Sequence, residues 1–124
     1  MRIFLFLLLF VAVKSYAQSD LPGVWRGTSL CQIKSSPCHD EQVVYHVSKK
    51  AGIDSFEVVA NKMVDGKEEY MGTLIFFLDA KGQFVSADDA RGGRWEFQRV
   101  GNKLSGRLIY KGQLYRLIEV KKDE

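Results

Sequence analysis

This chain has little with which to do covalent chemistry. It carries only two cysteines and two histidines in 124 residues. No Gly-rich loop precedes a helical pattern, so there is no phosphate cradle. No Ser/His/Asp set or paired carboxylates stand at a known catalytic motif, and a non-enzymatic protein is expected. No stretch past residue 17 keeps a capped 3.6-residue apolar stripe, which excludes helices longer than a turn or two. Strong charge is missing too. The 18 Lys and Arg face 15 Asp and Glu. Arg2 and Lys14 lie in an N-terminal leader, and without them the balance is 16 against 15. Near-neutrality argues against nucleic-acid binding, which needs a basic stripe.

The leader has the layout of a secretory signal. Arg2 precedes an unbroken apolar run from Ile3 to Val13, and Ser15-Tyr16-Ala17 sets small residues before Gln18. The run is far short of the roughly 20 residues a spanning helix needs. Cleavage after Ala17 is expected, leaving residues 18–124 as one domain with no membrane span, in the periplasm or outside the cell. In an oxidising compartment Cys31 and Cys38 should be bridged. Metal binding with nearby His39 and His46 is the weaker reading, because C-x6-C-H fits no familiar zinc spacing.

The mature chain is a succession of short apolar-rich runs closed by turns. The runs are Val24–Ile33, Gln42–Ser48, Ser55–Val64, Glu69–Leu78, Gln83–Ala87, Arg94–Val100, Lys103–Tyr110 and Gln113–Lys121. Between them stand Gly52, Asp65-Gly66, Gly82, Gly92-Gly93, Gly101-Asn102 and Lys111-Gly112, residues that tolerate positive φ. Links of two to four residues force antiparallel neighbours. Closing the sheet removes its raw edges, so an all-β, eight-stranded antiparallel up-and-down barrel is predicted. A two-sheet sandwich is the alternative, but it needs longer crossovers.

Alternation assigns faces. Trp25, Gly27, Ser29 and Cys31 share one; Val43, Tyr45 and Val47 share another. Trp95 and Phe97 oppose Arg94, Glu96 and Gln98. Leu104, Gly106, Leu108 and Tyr110 go together, as do Leu114, Arg116, Ile118 and Val120. Leu74-Ile75-Phe76-Phe77-Leu78 is apolar on both faces. A terminus or loop should cover its outer side, or a partner chain, giving a homodimer through Leu74, Phe76 and Leu78.

Gly23-Val24-Trp25 resembles the Gly-x-Trp motif of the calycin-like barrels, namely lipocalins, avidins and fatty-acid-binding proteins. The resemblance implies that Trp25 plugs the closed end of the barrel beneath a late basic residue, for which Arg116 is the candidate. The chain departs from lipocalins in being shorter and lacking a C-terminal helix. The biotin-binding residues of avidins have no match here.

Two functional readings follow. Trp25, Ser29, Tyr45, Phe84, Trp95, Phe97 and Arg116 would line a pocket for a small apolar or amphipathic molecule, or would simply fill the barrel. The Cys31–Cys38 loop, with Ser35, Ser36, Pro37, His39 and Asp40, would be a rigid feature opposite Trp25. It could serve as a staple or as a contact for an exported protein, as in small inhibitors of proteases or lysozymes. His39, Asp40 and Glu41 are adjacent on an extended chain, so they cannot all point at one centre. No cofactor is implied.

Overall fold

The computed structural model describes residues 21–35, 37–52, 54–86 and 91–124. The leader, Ser36 and Ala87 lie outside them. Eight strands follow one another: β1 (Gly23–Cys31), β2 (Glu41–Lys49), β3 (Ser55–Val64), β4 (Lys67–Leu78), β5 (Phe84–Ser86), β6 (Gly93–Val100), β7 (Lys103–Tyr110) and β8 (Gln113–Lys122). Each pairs antiparallel with the next, and β1 also pairs with β8, which closes the barrel. The predicted architecture is the observed one.

Turn chemistry explains the meander. At the β3–β4 and β7–β8 hairpins both central residues have positive φ: Asp65 at 51° with Gly66 at 77°, and Lys111 at 49° with Gly112 at 74°. Two-residue turns of this hand match the twist of the strands they join. The ends of β1, β3, β5 and β7 and the starts of β2, β4, β6 and β8 share one end, the mouth. The start of β1, the ends of β2, β4 and β6, the starts of β3, β5 and β7 and the end of β8 share the other.

Closure requires a close approach between β1 and β8. At Gly27, opposite Val120, a Cβ would stand 1.8 Å from the Glu119 carbonyl oxygen. At Gly106 on β7 it would stand 2.4 Å from both the Glu96 oxygen and the Phe97 ring. Only glycine lets the neighbouring backbone pass there.

Two irregularities shift the alternation. The register of β3 and β4 jumps between Ala60↔Gly72 and Asn61↔Tyr70, leaving Met71 as the extra residue. In β8 the pairing passes from Leu108↔Arg116 to Ile109↔Leu114, leaving Tyr115 extra. Leu114 is therefore turned outward and exposed, not grouped with Arg116, Ile118 and Val120 as alternation alone expects.

The lower interior is filled by aromatic rings. Phe76 stacks on Phe84 at 4.7 Å, and Phe84 meets Phe56 edge-on at 5.5 Å. Phe97 bridges Phe76 and Tyr45 at 5.8 and 6.2 Å. Below them Trp25 is completely buried, and its indole nitrogen donates to the Leu21 carbonyl at 2.9 Å. The cation over Trp25 is Arg99, 5.6 Å from the ring, with Lys122 at 6.0 Å. Arg116 is not the partner: it pairs across β1 with Cys31, at the mouth, six positions up β8 from Lys122. Arg99 sits in the β6 run just before the Gly101 turn and donates to the Gly101 carbonyl at 2.9 Å.

Leu74, Phe76 and Leu78 belong to this interior. The dimer face expected through them is thus on the wrong side of β4. Its outward apolar residues are Ile75, half-buried, and Phe77, 41% exposed.

Candidate functional site

Above the aromatic rings the barrel is not full. A cavity of about 410 Å³ runs toward the mouth. Val43, Tyr45 and Val47 of β2 wall one side, Val58 and Ala60 of β3 follow, and Trp95, Phe97, Leu104 and Leu108 close the far side. Its size falls in the range of roughly 300–1,000 Å³ typical of small-molecule sites.

The cavity has a local cause. Ala60 and Gly72 are cross-strand partners, so two of the smallest residues meet on one stretch of wall. A Cβ built on Gly72 would meet nothing within 4 Å. The Met71 bulge puts Gly72 on the inner wall and turns Tyr70 outward, where its hydroxyl lies 2.8 Å from Thr73 Oγ1.

Polar groups gather at the upper end. Arg116 Nη1 donates to the Ser29 carbonyl (3.2 Å), Ser29 Oγ (3.2 Å) and the His39 carbonyl (3.0 Å). Its Nη2 lies 3.5 Å from Glu41 Oε1, and the Arg116 side chain is only 13% exposed. The ring of Tyr115 packs beside the guanidinium at 5.8 Å. Burial pushes the Tyr45 phenol well above its ordinary range; the Glu41 carboxylate pushes the same way and Arg116 opposes. Tyr45 is therefore a neutral hydroxyl in the cavity wall, within electrostatic reach of both charges.

Of the residues expected to line a pocket, Ser29, Tyr45, Phe84, Trp95, Phe97 and Arg116 do so, while Trp25 lies beneath the aromatic layer and outside the wall. Glu41, Phe76, Gly72 and Arg91 also line it and were not foreseen. Glu41 was within reach of the alternation rule, since it shares parity with Val43, Tyr45 and Val47. Gly72 was not, because a bulge reverses the count beside it.

The Cys31–Cys38 disulfide is formed, with Cα atoms 5.9 Å apart. Its loop is tied to the mouth. The Asp40 carboxylate accepts from the Cys31 amide at 2.9 Å, Arg116 holds the His39 carbonyl, and the Gln32 amide donates to Tyr115 O at 2.9 Å. Asp40 is thus spent as a staple, while Ser35, Pro37 and His39 are exposed; Ser36 lies outside the described residues. His46 is on the outer face of β2, its Nε2 2.6 Å from Glu68 Oε1.

No protein-family model matches this chain, and no curated protein matches it in sequence.

Proposed function

We propose that this is an exported calycin-like barrel that holds one small apolar or amphipathic molecule. The observation that carries the reading is the cavity above Phe76, Phe84 and Phe97, kept open by the Ala60–Gly72 pair. Three features support it: the closed eight-stranded barrel, the plugged Trp25 end under Arg99, and a disulfide of the kind that persists outside the cytoplasm. No residue is assigned a catalytic role.

Titration with N-phenylnaphthylamine, an uncharged apolar fluorophore, tests this. The wild-type chain should bind one equivalent with enhanced, blue-shifted emission. Gly72→Leu, which projects a side chain into the open space, should abolish binding while the circular dichroism of the barrel persists. Absence of wild-type binding, or equal binding by both proteins, overturns the proposal.

A second reading, contact with an exported protein such as a protease or lysozyme, draws on the fastened loop. A loop already held by Asp40 and Arg116 gives up little entropy on docking. Replacing residues 33–37 by Gly and Ser should then abolish capture of such a hydrolase and leave fluorophore binding intact.

A further inference from the structure

Two guanidiniums line the cavity, the exposed Arg91 and the largely buried Arg116, and the donors of Arg116 are not all used. The three acceptors around Arg116 all fall to Nη1. Among the described residues Nε and Nη2 make no hydrogen bond, and Nη2 meets Glu41 only at an ion-pair distance of 3.5 Å. A guanidinium so little exposed gains most from an acceptor that meets two of its N–H groups at once. Glu41, placed by the start of β2, is too far off to do that. Tyr45 offers a second donor on the same wall.

We propose that the cavity takes an amphipathic acid whose anionic head replaces the Glu41 carboxylate beside Arg116, with its apolar body on Phe76, Phe84 and Phe97. The inference rests on the cavity reading above. Glu41 is then a placeholder that keeps Arg116 neutralised in the empty barrel. It is also a filter: a neutral molecule gains nothing by moving it, and a second anion must compete with it. The loop is drawn in as well. The Arg116 that would hold the head also holds the His39 carbonyl, so filling the cavity and fixing the loop use the same side chain. By linkage, each strengthens or weakens the other equally.

The test compares two probes of nearly the same shape, anilinonaphthalene sulfonate (ANS) and uncharged N-phenylnaphthylamine. Wild-type protein should bind ANS about tenfold tighter than the neutral probe, since charge-assisted hydrogen bonds of this kind are the strong ones. Glu41→Gln should tighten ANS several-fold relative to the neutral probe. Arg116→Met should erase the preference. If that variant fails to fold, Glu41→Gln alone still decides, because its effect has a defined sign. Gly72→Leu should block both probes, which shows that ANS sits in the cavity and not on surface lysines. Equal affinities for the two probes, or weaker ANS binding by Glu41→Gln, overturn the acidic-head proposal while leaving the cavity intact. Failure of both probes to bind the wild type refutes the cavity reading itself.

Discussion

Alanine at two interior glycines should have opposite effects on stability, and the contrast reads the packing directly. At Gly72 a Cβ meets open space. The residue is not in the left-handed region, so alanine costs nothing in backbone strain. Gly72→Ala should then stabilise the protein by about 0.4–1 kcal/mol, through the lower entropy of the unfolded chain. At Gly27 the same methyl would lie 1.8 Å from the Glu119 oxygen. The obstacle is backbone, so relief requires β1 and β8 to part by more than an ångström along the seam that closes the barrel. Overpacking against flexible side chains costs about 1–3 kcal/mol. Here hydrogen bonds of the β1–β8 ladder are lost as well, at about 1 kcal/mol each. A destabilisation of about 3 kcal/mol or more is expected, a large part of the roughly 5–15 kcal/mol that holds a domain of this size. Urea unfolding followed by tryptophan emission measures both. The midpoint should rise for Gly72→Ala and fall sharply for Gly27→Ala. If Gly72→Ala destabilises, the space beside it is not there; if Gly27→Ala is tolerated, the seam is not as tight as described.

Other consequences are open to equally simple measurements. Replacing Cys31 and Cys38 by serine should cost about 2–3 kcal/mol, the loop-closure value for so short a ring, read as a shift in the urea midpoint. Arg99→Met should lower stability by about 1–2 kcal/mol and shift Trp25 emission, whereas Arg116→Met should leave that emission unchanged. Tyr45 should remain un-ionised in an alkaline absorbance titration after the exposed tyrosines have titrated. Its raised folded pKa means that its contribution is fully present below the ordinary tyrosine range near 10 and is lost as pH rises through that range toward the folded value. The Glu68 carboxyl is held below its ordinary range by hydrogen bonds from His46 and Asn61. Its contribution is present above about pH 4.5 and lost as pH falls, so the stability gap between wild type and Glu68→Gln should narrow in acid.

Most of the fold was legible because both signals that build it are local. The alternation in Arg94–Val100 and Lys103–Tyr110 needs only neighbours along the chain, and Asp65-Gly66 and Lys111-Gly112 announce their own turns. What misled were effects between strands. The Tyr115 bulge moved Leu114 to the outside. The identity of the cation over Trp25 depended on which strand end reaches the closed base, and that is set by register. Arg116 looked like a floor residue because it sits among apolar neighbours on the last strand; its register opposite Cys31 places it instead at the mouth, on the cavity wall. The cavity itself was undecidable from composition, since the same rings either fill a barrel or line one. The pairing of Ala60 with Gly72 across two strands made the difference.

Native mass spectrometry of the protein purified from an exporting host tests the central claim most directly. The account predicts a chain two hydrogens lighter than its reduced mass, carrying one small molecule that leaves on gentle activation. Repeated isolation of the bare chain, together with no binding of added apolar probes, would contradict it.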